Sequence, residues 1–291
     1  MAYTVITGAS RGLGRALAQE NARRGRDLIL ISLAGEGLKE QAEEIRKKYN
    51  VNVVFFETDL TDANQLKQVC RKIIDNYPID TLINNAGIGG TYKFLEVTED
   101  YLNTIIDLNV RATVMMTYHL LPQLLRQPRA YILNIASLAA LNPLPFKTIY
   151  PASKAFIDFF SRSLAIELRN TKVKVSVAYP GTMPTNRHVI RQIDSHKKSI
   201  RLFVMSPEKV ARIFMKKLLR GKKQIIPGFF NKFTWLLIKL IPYNIRLAYL
   251  RHTYSKELNA NKETNHGKSA GNRGQRISGS QHSMAAEPER L

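Results

Sequence analysis

The chain has 291 residues, 44% of them hydrophobic and 23% charged, which is enough to bury the core of one large domain. No stretch reaches the roughly 18 consecutive apolar residues of a membrane-spanning helix, and the single cysteine, Cys70, excludes an internal disulfide. The net charge is +21, and residues 191–291 carry +15 of it, which suggests an anionic partner for the C-terminal third.

The first two hundred residues alternate short β-branched runs with longer segments of helical period, which is typical of βαβ units. The strand candidates are Tyr3–Ile6, Leu28–Ser32, Val53–Glu57, Thr81–Asn84, Tyr131–Ala136 and Lys174–Tyr179, with Ile225–Ile226 as a seventh. The helix candidates are residues 13–24, 37–49, 62–76, 99–126, 150–169 and 207–220. Right-handed crossovers then predict an α/β fold over residues 1–228, a single doubly wound parallel-sheet (Rossmann) domain that binds ligands at the carboxyl ends of its strands.

A glycine-rich turn follows the first strand and opens the first helix, with Gly8, Gly12 and Gly14 spaced Gly-x-x-x-Gly-x-Gly. Glycines let a backbone turn tightly and approach a pyrophosphate, whose charge is stabilised by the N-terminus of a helix. A plain strand-to-helix connection is the alternative, and the strand and helix on either side weaken it. We therefore expect a dinucleotide to contact Gly8, Ser10, Arg11, Gly12, Leu13 and Gly14.

The end of the second strand indicates which dinucleotide binds. A site that prefers NAD(H) places a carboxylate about 20 residues beyond the glycines, whereas the 2′-phosphate of NADP(H) needs cations and hydroxyls. Ser32 is followed by Leu33, and no acid occurs until Glu36, while Arg11 supplies a cation and Ser32 a donor. The sequence therefore favours NADP(H) over NAD(H), although Arg11 alone is equally well explained as a solvated surface charge.

Tyr150 and Lys154 are four residues apart, so on a helix they lie one turn apart on the same face. A free tyrosine titrates near pKa ~10, and a neighbouring ammonium favours the phenolate and lowers that pKa. We expect Tyr150 to exchange a proton with a substrate oxygen while hydride moves. Alone, this spacing is more typical of an ordinary amphipathic helix, but its position after Ser137 at a strand end argues for chemistry.

Several further motifs keep a constant order along the chain. They are Asp59-Leu60 after the third strand, Asp80 to Gly87 around the fourth, Asn109 in the long helix, Ser137 after the fifth strand, Tyr150 to Lys154 at the start of a helix, and Pro180-Gly181-Thr182 with Thr185 after the sixth strand. With the glycine-rich turn, they resemble the short-chain dehydrogenase/reductase family over roughly residues 1–228. Leu33 departs from the pattern, since many NADP-binding relatives have arginine there.

The resemblance implies a role for each matched residue. Ser137 would hydrogen-bond the substrate carbonyl, Lys154 would bind the nicotinamide ribose, and Asn109 would hold a water that relays protons toward Lys154. From its residue type alone, the simpler explanation of Asn109 is a polar side chain inside a helix that hydrogen-bonds to the backbone. The cofactor contacts implied are Ser32, Asp59 and Leu60, then Asn84, Asn85, Ala86 and Gly87 on the adenosine side, then Asn109, Tyr150, Lys154, Pro180, Gly181, Thr182 and Thr185.

Substrate specificity is expected to lie between the sixth strand and the C-terminus. The segment Met183–Met205 is basic, and it is either a lid over an anionic substrate such as an acyl-CoA or a solvated surface. Its basic residues are Arg187, His188, Arg191, His196, Lys197, Lys198 and Arg201.

Residues 229–254 are expected to form an apolar helical extension that Pro242 breaks or kinks. Lys232, Lys239 and Arg246 recur at intervals of seven within it, which predicts three cations along one side. The extension is a substrate cap, a dimer face or an interfacial helix on an anionic membrane surface. Residues 255–291 are predicted to be a disordered basic tail.

The leading function is therefore an NADP(H)-dependent oxidoreductase of carbonyls or alcohols, with a small-molecule substrate of the 3-oxoacyl or steroid type. The alternatives are an epimerase or dehydratase on the same fold, and a cofactor sensor or basic membrane- or nucleic-acid-associated protein. The intact Ser137 and Tyr150 argue against the first, and the lack of aromatics in residues 255–291 argues against nucleic-acid stacking. We expect a cytoplasmic homodimer or homotetramer, peripherally membrane-associated as a hypothesis, with no metal and no catalytic role for Cys70.

Overall fold

The computed structural model describes residues 2–181, 183, 204–242, 244–248 and 250, with the backbone alone at Lys239. Its strands are β1 (Tyr3–Thr7), β2 (Leu28–Ser32), β3 (Val53–Glu57), β4 (Ile79–Asn84), β5 (Ala130–Ile135), β6 (Val173–Ala178) and β7 (Gln224–Ile225). They form one parallel sheet in the order β3-β2-β1-β4-β5-β6-β7. The predicted doubly wound sheet is confirmed, including its seventh strand.

The helices connect the strands on both faces of the sheet. They are α1 (Gly12–Ala22), α2 (Leu38–Tyr49), α3 (Ala63–Asn76), α4 (Glu99–Ile106), α5 (Thr113–Leu125), α6 (Ile149–Glu167), α7 (Pro207–Leu218) and α8 (Phe229–Leu240). The single helix predicted at 99–126 is divided into three segments, because the π-helical turn Asp107–Ala112 lies between α4 and α5. Short 3-10 turns lie at Phe94–Glu96, Leu138–Leu141 and Leu168–Asn170.

Local sequence explains where several helices begin. The Asp62 side chain accepts hydrogen bonds from the backbone N–H groups of Asn64 and Gln65, which caps α3. The Ser206 side chain accepts from the Lys209 N–H at the start of α7, where Pro207 occupies a first-turn position that needs no N–H donor. These caps satisfy backbone donors that a helix leaves unpaired at its N-terminus.

The sheet is buried on both faces, which explains why its strands read as nearly continuous apolar runs. On one face α1, α2 and α7 cover it through side chains such as Leu17, Leu38 and Phe214. On the other, α3 and α5 contribute Ile73 and Leu120, among others. Each fully buried side chain of this size stabilises the fold by about 1.5–3 kcal/mol, so both layers hold the strand ends in place.

Cys70 belongs to the second of these layers. Its side chain is buried in α3, with its sulfur 3.5 Å from the Met116 sulfur. Burial raises the pKa of the thiol to about 12, so the reactive thiolate is scarce at neutral pH. The structure gives this cysteine a packing role.

The C-terminal extension begins with α8, which ends at Leu240 just before Pro242, as predicted. Asn231 and Trp235 face the body of the protein: Asn231 is 3% exposed, and Trp235 packs on the cluster around Tyr179. Among the described residues, no helix is long and apolar enough to cross a membrane. The predicted tail at 255–291 lies outside the described residues.

Candidate active site

The glycine-rich turn brings two stretches of backbone into direct contact. Gly8 and Gly12 have φ angles of +62° and +53°, which glycine adopts without steric cost. A Cβ on Gly14 would lie 1.9 Å from the Gly8 carbonyl oxygen, so α1 crosses the end of β1 at a distance that only glycine permits. The turn therefore has the close backbone approach that a pyrophosphate needs.

Asn85 braces this turn from the end of β4. Its side-chain amide donates to the carbonyl oxygens of Thr7 and Gly8 at 3.0 and 3.1 Å. The Thr7 hydroxyl accepts from the backbone N–H groups of Asn85 and Ala86, each at 3.0 Å. The neighbouring Asn84 faces the opposite side, where its amide donates to Thr117 and Asn134 in the core. The prediction that Asn84 contacts the cofactor is therefore wrong.

A groove of about 420 Å³ opens beside the glycine-rich turn at the carboxyl ends of β1 to β4. It is lined by Gly8, Ser10, Arg11, Ser32, Leu33, Glu36, Thr58, Asp59, Leu60, Ala86, Gly87 and Leu108. Of the residues predicted to bind a dinucleotide, this brings together Gly8, Ser10, Arg11, Ser32, Asp59, Leu60, Ala86 and Gly87. Gly12, Leu13, Gly14 and Asn85 are not among the lining residues: Leu13 is buried in the core cluster, Gly12 and Gly14 shape the turn, and Asn85 braces it. The backbone cradle and its polar lining fit a dinucleotide.

Glu36 is the lining residue that the sequence argument discounted. Ser10 donates to one carboxylate oxygen at 2.6 Å and Ser32 donates to the same oxygen, while the Arg11 guanidinium lies 3.3 Å from the other. The two serine oxygens are 2.8 Å apart. One carboxylate thus contacts Arg11 and Ser32, the two residues expected to hold a 2′-phosphate, and Ser10 beside them. The signal that could have revealed it is its position between two glycines directly after β2.

The end of β6 lies at the other side of the site. The Pro180 carbonyl accepts from the Leu138 N–H at 3.3 Å, which ties the β6 end to the turn after Ser137. A Cβ on Gly181 would lie 2.8 Å from the Asn231 amide nitrogen, so α8 packs directly on this glycine. Thr182 and Thr185 lie outside the described residues, as does most of the basic segment Met183–Met205.

Tyr150 lies in the first turn of α6 and is partly buried. Burial raises the pKa of the phenol, and a hydrogen bond with the Ser137 side chain lowers it in part. The expected acidification by Lys154 is therefore wrong, because loss of solvent raises the pKa of the phenol more than the Ser137 hydrogen bond lowers it. The Ser137 hydroxyl also accepts from the Ala139 N–H at 3.1 Å, which orients it toward the site.

Lys154 lies one turn further along α6 and is 4% exposed. Its ammonium donates to the Ile135 carbonyl at 3.1 Å, and its nitrogen is 5.8 Å from the centre of the Tyr150 ring. Burial lowers the pKa of Lys154 to about 8, because a low-dielectric environment disfavours the charged form. The structure thus holds a buried cation close to the phenol.

Asn109 lies within the π-helical turn, a feature often found at functional sites. Its side-chain oxygen accepts from the Ile88 N–H at 2.8 Å, and its amide donates to the Ile88 carbonyl at 2.9 Å and to the Ser153 hydroxyl at 3.0 Å. The amide therefore holds the loop after β4 against α6. A Cβ on Gly87 would come within 3.0 Å of both the Asn109 oxygen and the Lys154 nitrogen.

Gly89 is a second residue that the sequence argument missed. A Cβ there would lie 2.8 Å from Cδ2 and 3.0 Å from Cε2 of the Tyr150 ring. The Tyr150 ring therefore packs directly against the backbone of Gly89. Its position, two residues after the Gly87 motif, is the only sequence signal for this role.

The chain is similar to known dehydrogenases in sequence. Residues 2–194 match the family model described as short chain dehydrogenase. A very-long-chain 3-oxoacyl-CoA reductase from Anas platyrhynchos is 33% identical over 207 residues, which are 70% of this chain and 66% of that protein. The matched region thus spans just under two thirds of that relative's length.

Solved structures of similar proteins contain both dinucleotides. A short-chain dehydrogenase from Sphingobium yanoikuyae in complex with NADPH is 27% identical, with a TM-score of 0.73 over 86% of this chain and 96% of that chain. A short chain dehydrogenase/reductase from Burkholderia phymatum in complex with NAD is 23% identical, with a TM-score of 0.73 over 85% and 95%. At that identity, the second likeness concerns the fold alone.

Replacing Gly89 with alanine should displace the Tyr150 ring, because the three atoms nearest to the added Cβ all belong to that ring, and it should leave the dinucleotide groove intact, because Gly89 does not line it. A shift of about 1 Å in a reacting group can reduce turnover by roughly 100-fold. We expect Gly89→Ala to reduce kcat by that order while the affinity for the dinucleotide, measured by fluorescence titration, stays within about twofold. Unchanged turnover would show that the position of the Tyr150 ring does not depend on its packing against Gly89.

Replacing Lys154 with methionine should stabilise the protein near neutral pH. The pKa of Lys154 is about 8 in the folded chain, below its ordinary value near ~10.4, so the folded state bears the cost of the charge at pH 7. We expect Lys154→Met to raise the free energy of unfolding by on the order of 2 kcal/mol at pH 7, and the gain to vanish as pH rises from about 8 past 10. Urea denaturation across this range measures it; a gain independent of pH would contradict the explanation.

Proposed function

The chain belongs to the short-chain dehydrogenase family, and on that premise we propose that it is an NADP(H)-dependent oxidoreductase that interconverts a carbonyl and a secondary alcohol. The observation that carries the proposal is the phenol of Tyr150, hydrogen-bonded with Ser137 and one helical turn from the buried ammonium of Lys154. The dinucleotide, when bound, supplies or accepts the hydride at its nicotinamide.

Tyr150 is proposed to give its proton to the carbonyl oxygen during reduction. The raised pKa of the phenol supports this direction, because it keeps the hydroxyl protonated and ready to donate at neutral pH. Ser137 would donate a hydrogen bond to the same substrate oxygen as negative charge develops there, and its position is held by the Ala139 N–H. In the oxidation direction, Tyr150 would take the proton back from the alcohol.

Lys154 is proposed to stabilise the negative charge that remains on Tyr150 after proton transfer. An ammonium in a water-poor site acts more strongly on that charge than one in bulk water. Its charge is lost as pH rises through about 8, so the reduction is expected to weaken above that pH. Asn109 is proposed to position this pair through Ile88 and Ser153.

The preference for NADP(H) over NAD(H) is part of the proposal. Ser10, Arg11 and Ser32 form one hydroxyl- and cation-bearing corner of the groove, the chemistry that a 2′-phosphate requires. The similar dehydrogenase from Sphingobium yanoikuyae in complex with NADPH also supports the preference. Glu36 in the same corner opposes it, because its carboxylate already contacts Ser10 and Arg11.

A hydrophobic substrate of the 3-oxoacyl or steroid type is proposed because an apolar groove lies close to Tyr150. It is lined by Pro143, Leu144, Pro145, Thr148, Asn244, Leu247, Ala248 and Leu250, and its volume is about 1070 Å³, part of which is open solvent. Thr148 lines both this groove and a second pocket that Tyr150 lines, so the two spaces are adjacent. The similarity to a very-long-chain 3-oxoacyl-CoA reductase supports the same class of substrate.

We also propose that the protein is a homodimer or homotetramer. Exposed apolar side chains on α5 and α6 support this, including Tyr118, Phe159 and Ile166, which are 69%, 67% and 61% exposed. Both helices pack on the same face of the sheet, and large apolar groups exposed there are typical of a surface that another subunit covers.

The outer face of α8 is proposed to contact an anionic membrane surface. Phe229, Phe233 and Leu240 are 77%, 56% and 71% exposed, while Asn231, on the opposite face, is 3% exposed and packs against Gly181. Lys232 is exposed beside this apolar face, as an interfacial helix next to anionic lipid requires. Arg246 corrects the predicted row of three cations: after the break at Pro242, it donates to the Leu141 carbonyl and the Asn142 side chain.

Turnover should require the hydroxyl of Tyr150. Oxidation of NADPH and NADH would be followed with short aldehydes, diketones, 3-oxoacyl thioesters and ketosteroids. We expect the 3-oxoacyl thioesters or ketosteroids to be reduced, with kcat/KM falling above pH about 8, and Tyr150→Phe to lose at least about 100-fold. Tyr49→Phe, which removes the hydroxyl of a tyrosine that lines none of these grooves, is the matched control. Full activity of Tyr150→Phe would refute the proposed chemistry.

Vesicle co-sedimentation should depend on the outer face of α8. Phosphatidylcholine vesicles with phosphatidylserine are expected to pellet the full chain, and Phe233→Ser/Leu240→Ser to reduce that binding about tenfold. Phe94→Ser/Leu95→Ser, which alters an equally exposed Phe and Leu pair elsewhere, is the control and should bind normally. Equal binding by both double variants would refute a membrane role for this face.

A further inference from the structure

The C-terminal extension reaches back to the turn that follows Ser137. Arg246 lies in a short helical stretch of the extension, and its guanidinium donates to the Leu141 carbonyl at 3.3 Å and to the Asn142 side-chain oxygen at 2.8 Å. Hydrogen bonds from a charged donor are roughly twice as strong as those between neutral groups. Arg246 lies beyond residues 2–194, which match the family model, so this contact belongs to the chain's own extension.

The carbonyl that Arg246 contacts ends the turn Leu138–Leu141. The last carbonyls of a helical turn have no partner within it, and an arginine near that end satisfies them and stabilises the negative end of the dipole. Asn142 follows as the C-terminal cap, and Pro143 beyond it is exposed. Arg246 therefore caps the turn at the end opposite Ser137.

Hydrogen bonds inside the turn connect its two ends. The Ser137 hydroxyl accepts from the Ala139 N–H at 3.1 Å, and the Ser137 carbonyl accepts from the Ala140 N–H at 3.1 Å. The Asn142 N–H donates to the Ala139 carbonyl at 3.4 Å. The turn has four residues, so its end cannot move far without rotating the serine at its start. The hydroxyl of that serine contacts the phenol of Tyr150.

The start of the turn is held independently of Arg246. The Leu138 N–H donates to the Pro180 carbonyl at 3.3 Å, and the Leu138 side chain packs with Trp235 on the cluster around Tyr179. These contacts fix where the turn leaves β5 but not the course of its second half. The two hydrogen bonds of Arg246 act on that second half.

We propose that Arg246 is a positioning residue for the reaction, because it fixes the end of the turn and thereby the direction of the Ser137 hydroxyl. This inference rests on the proposed function, in which Ser137 donates to the substrate oxygen. A hydrogen bond weakens steeply as it departs from linearity, so a small rotation of Ser137 reduces its stabilisation of the charge that develops on that oxygen. Arg246 does not line the dinucleotide groove, so its loss should not affect cofactor binding.

Steady-state kinetics of Arg246→Ala provide the first test. We expect kcat to fall roughly 10- to 100-fold, and by a similar factor with every carbonyl that the parent reduces, because each places its oxygen at Ser137. The affinity for the dinucleotide, measured by fluorescence titration, should stay within about twofold. Arg212→Ala, which removes an exposed arginine on α7, is the matched control and should behave as the parent. A loss confined to long-chain substrates would trace the effect to the apolar groove and overturn the inference.

A double-mutant cycle tests whether Arg246 acts through the end of the turn. Asn142→Ala removes the side-chain acceptor that lies 2.8 Å from the guanidinium. In that background, Arg246→Ala should reduce kcat by a factor several-fold smaller than it does in the parent, because part of the interaction is already lost. Fully additive losses would contradict action through Asn142.

Amide hydrogen exchange reports on the turn without any substrate. In Arg246→Ala, the amides of residues 138–142 should exchange roughly tenfold faster than in the parent, while those of β6 and α6 keep their rates. The emission of Trp235, the only tryptophan in the chain, should not change, which shows that α8 stays packed on the body. Unchanged exchange in the turn overturns the inference. A red shift of the emission would also do so, since detachment of α8 then explains the loss.

These measurements separate the inference from the proposed function. If exchange in the turn becomes faster as expected but the parent reduces no carbonyl, the proposed reaction fails and the anchoring of the turn by Arg246 stands. If the parent reduces carbonyls and Arg246→Ala keeps its full kcat, the proposed function stands and Arg246 has no positioning role.

Discussion

The candidate active site depends on the side-chain amide of Asn109. This one group pairs with both the N–H and the carbonyl of Ile88, and it also donates to Ser153. The Ser153 hydroxyl in turn donates to the Tyr150 carbonyl at 2.8 Å. The loop after β4, the π-helical turn and the first turn of α6 are thereby joined. The glycines of that loop can then lie against Tyr150 and Lys154, which is why their lack of side chains matters.

Tyr150 and Lys154, the two central groups of the site, are both withdrawn from solvent. Lys154 is a cation in a nearly dry position, and Tyr150 is a phenol whose pKa burial raises. Desolvation disfavours the charged form of both. Burying an ammonium beside a neutral hydroxyl therefore lowers the free energy of unfolding. The hydrophobic layers on either side of the sheet offset that cost. Proton transfer from Tyr150 would give the ammonium a negative charge to stabilise.

Much of this arrangement could be predicted from sequence because it follows from local patterns. Each of the patterns used lies within one strand, turn or helix: the strand periodicity, the glycine spacing and the four-residue interval of Tyr150 and Lys154. The parallel sheet then brings these elements together. The pKa of Tyr150 could not be predicted, because its direction depends on how much solvent the whole fold removes. Glu36 was missed because a glycine-flanked turn carries it back to residues distant in sequence.

Two further differences have simple geometric causes. Asn84 and Asn85 were expected to act alike, but side chains of consecutive residues in a strand point to opposite sides, so one enters the core and the other braces the glycine turn. Arg246 was placed on the same side as Lys232 by counting along one continuous helix. The break at Pro242 ends that periodicity, and the guanidinium turns toward Asn142.

Cys70 gives the molecule a built-in chemical reporter. It is the only cysteine in the chain, and its sulfur lies beside Met116 beneath α3, where burial holds the thiol protonated. Reagents that modify thiols react with the thiolate and need access to it, so the native protein should resist them. Any molecule that becomes labelled has opened this layer of the sheet, and the labelling rate therefore reads out local opening of α3 without an engineered probe.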